Sequence, residues 1–301
     1  MTDLLPGFDS RHVEGANGCP IHLRIGGAGP ALFLLHGYPQ SHATWHRIAP
    51  QLAEQFTVIV PDLRGYGESG APVAAADGST YAKRTMGADI FAVADRLGIE
   101  RFALVGHDRG ARVAYRMAFD RPQRIDRLAI IEVVPTAEMW AHFDARMGLK
   151  AYHWTFLAQP EPLPETLIAA DPTFYVDWTL KSWTAAQSLE TFSPGALASY
   201  RAAFQDPARV AAMCWDYRAG AGVDRALDEA DRAAGRKIAV PLHFIWSAHG
   251  FPAKTGDPLA IWREWADCVT GSGPIDAGHF AMEENPQAVL DALLPFLADA
   301  D

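Results

Sequence analysis

Apolar and polar positions along the chain follow two rhythms. Short, continuously apolar runs bounded by turn residues occur at Ala31–Leu35 (ALFLL), Thr57–Val60 (TVIV), Phe102–Val105 (FALV), Leu128–Val134 (LAIIEVV) and Leu242–Trp246 (LHFIW). Between them lie longer stretches with helical spacing, expected over Tyr81–Leu97 and Ala111–Phe119. A last helix is expected over Pro286–Leu297, whose proline suits the first helical turn. Strands without polar alternation, separated by helices, predict a mostly parallel sheet covered on both faces.

From about residue 135 to residue 236 the pattern changes to helical segments rich in proline and tryptophan, among them Trp140, Trp154, Trp178, Trp183 and Trp215. The strand pattern resumes at Lys237. The expected organisation is therefore a core of residues 1–134 and 237–301 interrupted by a helical cap, 135–236. Such an insertion would cover the C-terminal ends of the strands, where open α/β sheets bind ligands. Most cap tryptophans are expected to form the cap's own core.

Composition adds limits. A chain of 301 residues, 49% hydrophobic, has enough apolar material for a large core. No apolar run approaches the length of a membrane span, and the opening MTDLLPGFDS lacks a basic-then-apolar leader. Three scattered cysteines, Cys19, Cys214 and Cys268, suggest neither a disulfide framework nor zinc. A cytoplasmic protein is expected. The net charge of −10 argues against nucleic acid or an anionic membrane as partner. It leaves room for a small anionic substrate, because local arginines outweigh distant charges within a Debye length of about 8 Å.

The chemistry centres on Gly106-His107-Asp108-Arg109-Gly110, which follows the FALV strand and precedes a helix. The glycine spacing is that of a nucleophile elbow, with aspartate at the apex instead of serine. A carboxylate is ionised at neutral pH and can displace a leaving group from carbon to form an ester. Water must then cleave that ester, which calls for a base, an acid partner to orient it, and oxyanion donors. His279, in DAGHF before the last helix, is the candidate base. Two acid partners stand open. Glu132 lies in an apolar strand, where an unpaired charge is costly, and is favoured over Asp257, in the loop after the LHFIW strand. The backbone N–H groups of Tyr38 and Arg109 are the candidate oxyanion hole. His36 is read as structural, and His42 and His46 as surface or packing residues, since the surrounding sequence lacks the pattern of a zinc helix. No metal or cofactor is expected.

At these residues the chain resembles a family. The HGYP turn, the HDRGARV elbow, Tyr152-His153-Trp154 followed by FLAQP and PLPE, Asp216-Tyr217-Arg218-Ala219-Gly220, and AGHF together resemble the haloacetate dehalogenases. Within these, the likeness is to the fluoroacetate dehalogenases of the α/β-hydrolase fold. It runs from near residue 30 to near residue 285. The resemblance implies an α/β-hydrolase fold with a helical cap, Asp108 as nucleophile, and His279 as the base that activates water. It implies that Arg109 and Arg112 hold the substrate carboxylate, and that His153, Trp154 and Tyr217 donate to the departing halide. Trp183, in KSWT, is implied to line the same region, and the family's habit implies a homodimer. Three positions depart from the family pattern: Glu132 for aspartate, Tyr38 for phenylalanine and Met139 for tyrosine.

Electrostatics agrees with that chemistry. Asp108 and a haloacid are both anions, and two charges about 4 Å apart repel by roughly 4 kcal/mol at an effective dielectric near 20. Two charge-assisted hydrogen bonds of roughly 1.5 to 3 kcal/mol each would offset this. The expected function is hydrolysis of short haloacids such as fluoroacetate and chloroacetate to glycolate and halide. An epoxide hydrolase with the same Asp108 and His279 is the alternative, and a non-catalytic binding member of the fold a more distant one.

Overall fold

The computed structural model describes residues 3–298. Eight strands form one sheet: β1 (Asp9–Glu14), β2 (Pro20–Gly26), β3 (Ala31–Leu35), β4 (Thr57–Pro61), β5 (Phe102–His107), β6 (Ile125–Ile131), β7 (Leu242–Ser247) and β8 (Val269–Ile275). Their order is β1-β2-β4-β3-β5-β6-β7-β8. The first two pairings, β1 with β2 and β2 with β4, are antiparallel. All the others are parallel.

The apolar runs are continuous because both faces of the sheet are covered. Phe33, Leu35, Ile59, Leu104, Leu128 and Ile130 pack on one face with helices Lys83–Arg96 and Asp108–Asp120. Leu32, Leu34, Val58, Val60, Val105 and Ile131 pack on the other, against Trp45, Leu52 and the apolar side of helix Pro286–Ala298. Burial alternates in this way because successive side chains of a strand point to opposite faces.

Eight helices, from Thr136–Ala141 to Val223–Ala233, lie between β6 and β7. Among the described residues, no helix is long and apolar enough to cross a membrane.

Two strand expectations need correction. The LAIIEVV run is not a strand throughout: β6 begins at Ile125 and ends at Ile131. Glu132 follows with φ 67°, a left-handed turn that lifts its side chain out of the ladder. The strands β1, β2 and β8 went unrecognised. β1 (DSRHVE) and β8 (VTGSGPI) are sheet edges, largely solvated, and carry no apolar run to betray them.

Candidate active site

Four strand ends supply the core side of the site, all at the carboxyl edge of the sheet. β5 delivers Asp108, β6 delivers Glu132, β8 leads to His279, and β3 leads to the turn that carries Tyr38. Asp108 has φ 47°, the strained geometry of an elbow apex. Close approach explains the glycines around it. A Cβ on Gly110 would lie 2.3 Å from the carbonyl oxygens of Leu35 and His36, and one on Gly37 would lie 2.5 Å from Asp108 Cβ. Only bare backbone fits on either side.

Asp108 Oδ2 accepts the Tyr38 N–H at 3.0 Å. Burial pushes the Asp108 pKa up, but His279, Arg109 and Arg112 outweigh it and hold the carboxyl below its ordinary value. The nucleophile is therefore anionic at neutral pH.

His279 is fixed by its own backbone. Its N–H donates to Trp183 O at 2.9 Å, and its carbonyl accepts from His107 Nε2 at 2.8 Å. His279 Nδ1 stands 3.8 Å from Glu132 Oε2, an ion-pair distance rather than a hydrogen bond. The other Glu132 oxygen accepts the Ser247 N–H. His279 Nε2 is buried without a hydrogen-bond partner among the described residues. Burial lowers the His279 pKa, yet the negative charges of Glu132 and Asp108 prevail and raise it. Burial raises that of Glu132 against the pull of His279. Asp257, the other candidate acid, is an exposed N-cap that accepts from Leu259 N–H at 3.1 Å and Ala260 N–H at 3.0 Å. The structure brings Glu132, not Asp257, to the histidine.

A cavity of about 560 Å³ opens over these groups, and Asp108, Arg112, Glu132, His153, Trp154, Trp183 and His279 are among its walls. His153 is buried with Nδ1 unpaired, and burial drives its pKa down to about 3, so its imidazole is neutral. Its ring centroid lies 4.4 Å from that of Trp183 and 5.7 Å from that of Tyr217. The Tyr217 ring meets that of Tyr38 edge-on at 5.2 Å. Trp154, Trp178 and Trp183 are among the cavity's walls, while Trp154 also belongs to the buried core, with Trp140 and Trp183 packed against it.

The two elbow arginines differ. Arg112 is a cavity wall; its Nη1 donates to Val134 O and to Thr136 Oγ1, both at 3.0 Å, and its Nε has no partner. Arg109 is fully buried and binds the Asp216 carboxylate through Nε (3.1 Å) and Nη2 (2.6 Å). Its Nη1 alone is unpaired. Asp216, inside the DYRAG stretch, was not recognised as a partner in the sequence; its place beside Tyr217 was the available signal.

For His42 the structure selects the second of its two expected places, packing rather than surface. His42 is buried and its Nδ1 lies 3.0 Å from both Asp62 oxygens, with His22 Nδ1 2.9 Å from Asp62 Oδ2. Asp62 also accepts the N–H groups of His42 and Glu68, so its oxygens are fully engaged in bracing the loop. His36 Nε2 accepts the Leu63 N–H at 3.0 Å, the structural role expected of it.

A parallel-sheet hydrolase core, an aspartate elbow and an apposed histidine define a class, and the comparisons agree: the chain belongs to the α/β-hydrolase fold family, whose model matches residues 30–286. A fluoroacetate dehalogenase from Burkholderia sp. is 39% identical, over 99% of this chain and 96% of that protein. A soluble epoxide hydrolase from Corynebacterium sp. (strain C12) is 33% identical, over 96% and 97%. A solved Pseudomonas aeruginosa structure, described provisionally as an epoxide hydrolase, is 46% identical with TM-score 0.92, over 99% and 98%. The chain is accordingly similar both to a dehalogenase and to epoxide hydrolases.

Proposed function

We propose that the protein hydrolyses short haloacids, releasing halide and a hydroxy acid such as glycolate. The observation that carries this reading is Arg112: a buried cation on the wall of Asp108's cavity, hydrogen-bonded to neutral groups. A nucleophilic carboxylate repels an anionic substrate, and a cation beside it is what lets the two meet. Epoxides have no charge for it to hold.

In this mechanism an Asp108 oxygen attacks the halogen-bearing carbon, an ester forms, and the carbon–halogen bond breaks. The halide leaves among His153, Trp154 and Tyr217, which donate hydrogen bonds to the developing charge. His279 Nε2 takes a proton from water, and the resulting hydroxide attacks the Asp108 carboxyl carbon. The N–H groups of Tyr38 and Arg109 hold the oxyanion; as it collapses the glycolate oxygen takes the proton back from His279, and the new Asp108 carboxyl group loses its proton to water, returning as carboxylate. Glu132 steadies the imidazolium, and Trp183 closes the cavity against His279, their rings edge-on at 5.2 Å.

The cavity volume favours a second reading. About 560 Å³ lies in the range of roughly 300 to 1,000 Å³ that holds drug-sized ligands, well beyond what a two-carbon acid fills. Together with the 33% identical epoxide hydrolase, it makes ring opening of a bulkier epoxide the competitor. Halide release from fluoroacetate, chloroacetate and bromoacetate, measured beside diol formation from styrene oxide, separates the two. Halide release from the acids without diol supports the proposal. Diol formation without halide overturns it.

A further inference from the structure

Beside the cavity lies a buried charge cluster joining cap and core. Asp216, on the cap helix Pro207–Ala221, is fully buried. One of its oxygens accepts from Arg109 Nη2 at 2.6 Å and from Lys83 Nζ. The other accepts from Arg109 Nε at 3.1 Å and from the Tyr66 hydroxyl at 2.6 Å. Its backbone carbonyl takes a further Arg109 Nη2 bond at 2.7 Å. Lys83 Nζ also stands 3.5 Å from Asp224 Oδ2. Two cations and two carboxylates therefore cancel, and the Arg109 charge is offset before any ligand arrives. Its guanidinium is held 4.2 Å from the centroid of the Tyr217 ring, which fixes its plane.

We propose that Asp216 is a positioning residue that makes the two elbow arginines unequal: it cancels the charge of Arg109 and leaves that residue an oriented donor, so that Arg112 alone selects the substrate anion. This rests on the haloacid reading above. The inequality has a purpose. Two uncompensated arginines would grip the product carboxylate as firmly as the substrate's, and binding shared by ground and transition states does not speed the reaction. One free cation suffices for attraction, and the unpaired Arg109 Nη1 is left as a donor of fixed direction.

A merely structural tie between cap and core would change stability alone, or weaken ligand binding in every variant. Charge compensation instead requires shifts of opposite sign. Acetate, a carboxylate without a leaving group, is the probe, read by tryptophan fluorescence because Trp154 and Trp183 face the cavity. In Asp216→Asn the Arg109 charge is released, and acetate should bind on the order of tenfold more tightly. In Lys83→Gln the Asp216 charge falls wholly on Arg109, and acetate should bind more weakly. Tyr66→Phe, which removes only one donor to Asp216, should shift binding the same way as Lys83→Gln by less, and serves where either charge variant fails to fold. Thermal melts establish which variants are folded. Opposite shifts support the inference, as does, where Tyr66→Phe alone is folded, weaker binding of acetate with unchanged binding of its neutral isostere acetamide; in that case equal weakening of both overturns it. Shifts of the same sign, unchanged binding in folded variants, or a wild-type protein indifferent to acetate overturn it. Halide release does not enter this measurement, so a protein that binds acetate but dehalogenates nothing overturns the proposed reaction while the sign test still decides the role of Asp216.

Discussion

On the sheet side of the cavity, Asp108, Glu132 and His279 are held mainly by backbone: two positive φ angles, an N–H to Asp108, an N–H to Glu132, and bonds at both ends of the His279 peptide unit. On the cap side, His153, Trp154 and Trp183 are held mainly by ring packing, with Tyr217 packed behind His153 and Trp154, and the His153 Nδ1 is buried without a partner. Under the proposed function, the difference matches the two halves of the reaction. Bond-making at carbon needs atoms placed to a fraction of an ångström. Stabilising a departing ion needs donors left free of other bonds and kept from water. A rigid sheet edge suits the first, and an aromatic cap suits the second.

Substitutions can break this comparison. Asp108→Ala removes the nucleophile and should lower kcat for halide release by about 10⁴-fold or more; appreciable residual turnover would mean that the core half is not where bonds are made. His279→Gln should leave the first step intact and stop the second. Mass spectrometry after addition of chloroacetate should then find a carboxymethyl ester on Asp108, and its absence would break the division of labour. His153→Ala should cost roughly 10²- to 10³-fold in kcat, the usual worth of a donor to a developing anion. Its cost should be larger for fluoroacetate than for bromoacetate, because fluoride is the more strongly hydrated ion; an equal loss on both would assign His153 to packing.

Smaller effects sharpen the core half. His279 must be neutral to accept a proton, and its pKa is raised chiefly by Glu132 and Asp108 against the effect of burial. Ester hydrolysis should therefore rise as pH climbs through a value above the ordinary 6.5 or so of histidine. In Glu132→Gln that limb should move to lower pH, with a reduced plateau; an unmoved limb in the pH–rate profile would remove Glu132 from the acid role. Asp257→Ala, by contrast, should leave the rate alone and lose an N-cap worth about 1 kcal/mol. By differential scanning calorimetry that is a Tm drop of about 2 to 4 °C.

Much of the core half was legible along the chain because its cues are local. Strand, glycine, three residues and glycine is a spacing that any elbow must have, and the apex residue stands in the middle of it. His279 and Glu132 were found as a histidine before the last helix and a buried acid at the end of an apolar run. Their distance was not readable, and neither was the positive φ that turns Glu132 out of β6. The edge strands escaped because solvated strands need no apolar pattern. The cap was visible as a change of texture, yet which tryptophans face inward was not, since helical spacing alone cannot say whether a face meets core or cavity.

The amino-acid sequence by itself determined the chemistry within reach: an ionised carboxylate at an elbow, a histidine to follow it, and two arginines one helical turn apart. Those are matters of residue type and short-range spacing, and the chain states them directly. Only the tertiary structure decided that the arginines are unlike. Arg109 meets Asp216, 107 residues away, and Asp216 meets Lys83, 133 residues away, while Arg112 faces the cavity bound to neutral groups. A charge acts through everything packed around it, and the sequence cannot show that surrounding shell until the chain has closed on itself.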